Sequence, residues 1–171
     1  MIVFRRDIPE ALDTFGFLTA LKRLRLSYNQ LRDLPSSMQY MHWMEKFECT
    51  NNNLVKLPEN IGGMRHLAEL TLACNEIPKL PTSIHDCQKL RKLNLTSNFL
   101  EEMPWAFCTA LSSLEILFLS ANRIQKLPNS FRFMTNLRLF QIDDNPLKSP
   151  TMDVVQKGLE HIMWECRSQV S

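Results

Sequence analysis

Glycine is scarce in this chain, with four residues among 171. Phosphate-cradling loops and nucleophile elbows depend on closely spaced glycines, and neither pattern occurs. Net charge is equally sparse. Twenty Lys and Arg face eighteen Asp and Glu, a formal charge of +2, far below the basic surplus by which a chain neutralises nucleic-acid phosphates. No nucleic-acid partner is expected. Long apolar runs are missing too: no stretch approaches eighteen uncharged apolar residues, so no membrane span is expected. Met1-Ile2-Val3-Phe4-Arg5-Arg6-Asp7 reaches charge at once and lacks the apolar centre of a secretion signal. The five cysteines, at 49, 74, 87, 108 and 166, include no Cys-x-x-Cys pair, which argues against a zinc site or a disulfide framework. These features together predict a soluble, cytoplasmic protein with reduced thiols and no cofactor or metal. One sequon, Asn94-Leu95-Thr96, falls within a predicted strand and carries little weight.

What the sequence does contain is a repeat. The segments LKRLRLSYNQL from Leu21, MEKFECTNNNL from Met44, LAELTLACNEI from Leu67, LRKLNLTSNFL from Leu90, LEILFLSANRI from Leu114 and LRLFQIDDNPL from Leu137 share the pattern L-x-x-L-x-L-x-x-N-x-L. Their starts are spaced by 23, 23, 23, 24 and 23 residues, and Asn29, Asn52, Asn75, Asn98, Asn122 and Asn145 hold the ninth position. A second signature recurs in the other half of each unit: Leu34-Pro35, Leu57-Pro58, Leu80-Pro81, Met103-Pro104 and Leu127-Pro128, with Pro150 alone in the last. A fixed period of this length is the mark of a stacked array.

On these motifs the sequence resembles the intracellular leucine-rich-repeat family with 23-residue units, the group of Ras-suppressor-type proteins and the erbin and densin scaffolds. The resemblance extends over about residues 21–165. It implies an α/β repeat fold, a leucine-rich-repeat solenoid with a curved parallel β-sheet on the concave face and an irregular, short-helical convex side.

The pattern itself has physical reasons. In L-x-L the period of two turns both apolar residues inward, giving one short strand per repeat. A lone strand cannot bury its apolar side, so neighbours must stack about 4.8 Å apart and share a core. Asn supplies one acceptor and two donors for turn backbone beyond the ladder, so the six Asn are expected to form an internal column. Proline fixes φ and removes an N–H where the chain leaves for the convex side.

The ends depart from the pattern. Ser149-Pro150 reads as a helix N-cap with Pro at the first helical position. Val154, Val155, Gly158, Leu159, Ile162, Met163 and Cys166 then form an apolar stripe over about four turns. Residues 149–171 are therefore expected to be a C-terminal capping helix closing the six repeats of residues 21–148. At the other end Ile8-Pro9 resembles the Leu-Pro pair of a preceding unit whose strand would lie before residue 1. Residues 1–20 are thus a partial repeat or an improvised N-terminal cap. The first of these readings would leave an N-terminal edge strand open to self-association.

In such a solenoid the outward residues of successive strands form the candidate protein-binding face. Those of the first repeats are Arg23, Arg25, Ser27 and Tyr28, then Lys46, Glu48, Thr50 and Asn51, then Glu69, Thr71, Ala73 and Cys74. Lys92, Asn94, Thr96 and Ser97 follow, then Ile116, Phe118, Ser120 and Ala121, and finally Leu139, Gln141, Asp143 and Asp144. The face begins basic, turns mixed, and ends in Ile116, Phe118 and Leu139, where the pattern requires nothing apolar. That trio is the favoured contact patch. Arg23, Arg25 and Lys46 could steer an acidic partner, but Glu48 and Glu69 point rather to a mixed, solvated face. Tyr28 is the one aromatic candidate for an anchor.

Catalysis is not expected. His42, His66, His85 and His161 have no metal-ligand spacing and fall on convex segments or the cap. In His85-Asp86-Cys87 the thiol occupies the column of Met41, Met64 and Met134 and reads as core. The functional expectation is a protein-interaction module or scaffold, in intracellular signalling by resemblance, with a targeting fragment of a larger phosphatase, GTPase or ubiquitin ligase as the alternative.

Overall fold

A computed structural model of the chain describes residues 2–3 and 13–168. The described residues form one parallel sheet of seven strands in strict chain order: β1 (Ile2–Val3), β2 (Arg23–Arg25), β3 (Lys46–Glu48), β4 (Glu69–Thr71), β5 (Lys92–Asn94), β6 (Ile116–Phe118) and β7 (Leu139–Gln141). Six of them are the repeat strands expected above. The first corrects the sequence reading, because a strand lies inside the chain and not before it: Ile2 is in register with Leu24 and Val3 with Arg25. Among the described residues the outermost strand at this end is therefore β1 and not β2. Ile8 and Pro9 lie outside the described residues.

Each repeat strand from β2 to β6 buries its middle residue and turns its flanks outward, as the period of two demands, while Phe140 in the middle of β7 is only partly buried. Leu24, Phe47, Leu70, Leu93 and Leu117 are buried, followed two residues later by Leu26, Cys49, Leu72, Leu95, Leu119 and Ile142. One continuous core results, running through every repeat.

The Asn column forms. The Asn75 side chain donates from Nδ2 to the carbonyls of Cys49 at 2.9 Å and Leu72 at 3.0 Å, and its Oδ1 accepts from the Leu54 N–H at 3.0 Å. Asn98 repeats the arrangement with Leu72, Leu95 and Ile77, and Asn122 with Leu95, Leu119 and Leu100. Each Asn thus ties its own repeat to the one before it. An amide donor and acceptor buried without these bonds would each cost about 1–3 kcal/mol.

The residue before each Asn adopts a left-handed backbone: Tyr28, Asn51, Cys74, Ser97, Ala121 and Asp144 have φ between 54° and 63°. For a residue with a Cβ this conformation costs about 1–2 kcal/mol. The sharp turn it makes is what swings the next side chain inward to its three backbone partners.

On the convex side most repeats carry a short 3-10 turn, at Ser36–Tyr40, Ile61–Gly63, Thr82–Asp86 and Asn129–Phe133. The unit with the 24-residue spacing instead has an α-helix, α1 (Trp105–Ala110). Six α-helical residues rise about 9 Å and five 3-10 residues about 10 Å, so the shorter rise per residue absorbs the extra residue. The sheet register is unaffected, with Lys92 opposite Ile116. Convex turns stack closely: a Cβ on Gly63 would meet the Gln39 carbonyl oxygen at 2.3 Å.

The C-terminal cap differs from the expected single helix. Ser149 forms a bridge to Lys126, and the Ser149-Pro150 peptide is cis. Helix α2 (Met152–Gln156) begins only after Thr151. Gly158, at φ 98°, then separates it from α3 (Leu159–Ser168). The expected N-cap and first helical residue are thus used to continue the array, and the stripe is divided. Ile162 and Cys166 are buried against the core, with Val155, Leu159 and Met163 partly buried. The cap packs on the Asn129–Phe133 turn of the fifth repeat, whereas the main neighbour of β7 is β6.

Candidate functional site

Strand register places the outward residues in two files. The first is Arg23, Lys46, Glu69, Lys92, Ile116 and Leu139; the second is Arg25, Glu48, Thr71, Asn94, Phe118 and Gln141. All twelve face the concave side with at least partial exposure. Ile116, Phe118 and Leu139 meet as expected, since Ile116 is the direct partner of Leu139 and Phe118 lies two residues along β6. Leu139 is 44% exposed.

Two neighbouring positions do not belong to the face. Ser27 and Ala73 are buried. Their seventh position lies where the chain begins its left-handed turn, so small side chains fold under the sheet edge; the Ser27 hydroxyl accepts from the Thr50 N–H at 3.1 Å. Tyr28 and Cys74, one position further, point outward and are exposed.

The basic end is less available than its composition implies. Arg25 reaches Glu48 at 3.2 Å, and Lys46 lies between Glu48 at 3.0 Å and Glu69 at 2.9 Å. Hydrogen bonds to Glu69 and then Glu48 hold the Lys46 ammonium above its ordinary pKa, against partial desolvation. These four side chains satisfy one another in a ladder across three strands. Being half-exposed, each pair contributes no more than about 1 kcal/mol.

A third file, absent from the sequence-based set, runs along the strand entrances: Lys22, Glu45, Ala68, Arg91, Glu115 and Arg138. Lys22 donates to Glu45 at 2.8 Å, which lowers the pKa of that carboxyl, and Arg91 approaches Glu115 at 4.0 Å. Ala68 is its single short member. The same 23-residue offset that located the strands would have exposed this file.

The convex side carries exposed aromatics of its own, Tyr40, Trp43, Trp105 and Phe133, and the capping helix carries Trp164. Trp43 stacks on His66 at 4.6 Å, and the Arg132 guanidinium lies over Phe133. His42 donates through Nδ1 to the Gly63 carbonyl and His66 likewise to that of His42, both at 2.9 Å. These histidines brace adjacent convex turns. Cys87 is fully buried with Met41, Met64 and Met134, and burial pushes its thiol up to about 12. A thiol so placed is a packing group.

Residues 45–100 and 88–147 match a family model described as leucine rich repeat, and residues 20–41 match a second leucine rich repeat model. No curated protein matches the chain. Among solved structures it is similar to a leucine-rich-repeat protein of Leptospira interrogans, with 26% identity and a TM-score of 0.78 over 81% of this chain and 35% of that one. It is also similar to TLR13 from a complex with ssRNA13, with 28% identity and a TM-score of 0.74 over 91% of this chain and 22% of that one. A third is the plant peptide hormone receptor RGFR1 in complex with RGF2, with 25% identity and a TM-score of 0.64 over 84% of this chain and 28% of that one. This chain therefore spans about a third or less of the length of each.

Proposed function

The chain belongs to the leucine-rich-repeat family, and we propose that it acts as a protein-interaction module whose partner lies across the concave sheet, centred on Ile116, Phe118 and Leu139. The carrying observation is the contrast within one face. The ionic groups of β2 to β4 are largely engaged with one another, whereas three apolar side chains meet on β6 and β7 and gain only by losing water. The receptor RGFR1, solved with RGF2, shares the fold.

We place this module in the cytoplasm, as a signalling scaffold of the Ras-suppressor, erbin and densin type. Support comes from the 23-residue units with their Leu-Pro pairs and from Cys49, Cys87, Cys108 and Cys166, which are free thiols filling core positions. Binding is the proposed activity, without catalysis or cofactor.

Quantitative affinity capture with mass spectrometry tests the reading, using wild type and a Phe118→Asp/Leu139→Asp variant in parallel. Leu139 is exposed and Phe118 partly exposed on the concave face, outside the buried core, so the variant should keep the wild-type circular dichroism and melting temperature. Partners enriched on the wild type should fall at least tenfold on the variant. Recovery of the same partners by both overturns the concave patch.

A further inference from the structure

Beside the apolar trio the entrance file opens into a depression. Its members pair across repeats, Lys22 with Glu45 and Arg91 with Glu115. Ala68 falls between the two pairs with a side chain too short to bridge them. The resulting hollow measures about 670 Å³ and is bordered by Lys89, Arg91, Lys92, Glu115 and Ile116, a size typical of ligand clefts. It opens onto the concave face directly beside the patch, since Lys92 is the register partner of Ile116.

The charges around it do not balance internally. Its two carboxylates are already engaged, Glu69 by Lys46 at 2.9 Å and Glu115 by Arg91 at 4.0 Å. Among the described residues neither Lys89 nor Lys92 has an ion-pair partner. Lys46 shows what a lysine of this file does when carboxylates are within reach: it bonds Glu69 on the next strand and Glu48 on its own. Lys92 has Glu69 on one flank, turned toward Lys46, and Ile116 on the other. Two ammonium groups therefore border a hollow that no carboxylate of the described chain fills, one strand spacing, about 4.8 Å, from an apolar surface.

We infer that this hollow receives an Asp or Glu side chain of the protein partner, so that the bound segment carries a carboxylate beside a large apolar residue. The carboxylate seats between Lys89 and Lys92, with Arg91 at its rim, while the apolar residue covers Ile116, Phe118 and Leu139. Charge complementarity selects the acidic residue and fixes the direction in which the segment crosses the strands. This inference rests on the concave-face reading and specifies the chemistry of the partner.

The test is a selection of random twelve-residue peptides displayed on phage. The targets are the wild type, a Lys89→Glu/Lys92→Glu variant and the Phe118→Asp/Leu139→Asp variant, all checked for unchanged melting temperature. Wild-type binders should carry Asp or Glu at a constant offset from a large apolar residue. Replacing that residue by Asn or Gln should weaken binding to the wild type at least tenfold and to the Lys89→Glu/Lys92→Glu variant less than twofold. Peptides selected on the latter should keep the apolar residue and lose the acidic one. Wild-type binders without acidic preference that still require Phe118 and Leu139 overturn the carboxylate pocket and leave the concave patch standing. Binders indifferent to Phe118→Asp/Leu139→Asp overturn both. A phosphoserine in place of the acidic residue that raises affinity tenfold or more overturns the assignment to a carboxylate.

Discussion

The two ends of the concave sheet have the same backbone and opposite surfaces. From β2 to β4, Arg25, Glu48, Lys46 and Glu69 lock into a ladder; on β6 and β7, Ile116, Phe118 and Leu139 face water with no polar partner. Beneath both, the Asn column and the buried file of strand residues repeat almost unchanged. Surface identity is thus separable from architecture in this array. A side chain at the third or fifth position of a repeat faces the concave side, while the fourth, sixth and ninth positions hold the sheet together.

Three measurements probe that separation. The largest effect should come from alkali. Burial pushes Cys49, Cys87 and Cys108 up to about 12 and Cys166 up to about 11. The unfolded chain loses these protons near pH 9 and the folded chain keeps them, so the stability from neutral thiols is complete below pH 9 and is lost as pH rises toward 11 and 12. Each thiol adds a slope of about 1.4 kcal/mol per pH unit in that window. Two of the four lie under the charged half and two under the apolar half. In urea titrations across this range, Cys49→Ala and Cys108→Ala should flatten the slope equally. Unequal flattening means that the halves unfold separately.

The Asn column comes next. Asn75→Ala leaves the Leu54 N–H and the Cys49 carbonyl short of a partner, and Asn122→Ala does the same to Leu100 and Leu95. Each should cost about 2–4 kcal/mol in urea denaturation. Asn145, half-exposed at the end of the array, should cost about 1 kcal/mol on the same substitution. A loss well under 1 kcal/mol at Asn75 would remove the column as the common support. The smallest effect belongs to the ionic ladder. Glu48→Gln deprives Arg25 and Lys46 of a shared partner and should lower stability by about 1 kcal/mol at low salt. The loss should shrink in 1 M NaCl, where charges are screened over about 3 Å. A salt-independent loss would mean that Glu48 acts through packing.

Much of this was legible from the sequence because contacts in a solenoid fall at one constant offset. The strands, their order, the Asn column and the pairing of Ile116 with Leu139 all follow once the period is read. What escaped lies where the period fails or where the signal has no residue type. Ile2–Val3 belongs to a unit whose spacing departs from the others, so its strand was placed outside the chain. Ser149 and Pro150 carry a helix-start signature, yet they extend the array by pairing with Lys126, and the helix waits until Met152. The left-handed turn at the eighth position is occupied by Tyr, Asn, Cys, Ser, Ala and Asp, none of them the glycine that would announce it. The ladder of Arg25, Glu48, Lys46 and Glu69 depends on which of several neighbours each long side chain chooses, and spacing alone does not decide that.

The α-helical convex segment Trp105–Ala110 has a consequence for how such an array can change. An added residue there is taken up by the shorter rise of an α-helix, and the facing strand never registers it. The outer rim therefore behaves as an expansion joint. Insertions on the back of the molecule need not disturb the alignment of its front, and the two surfaces can be altered independently.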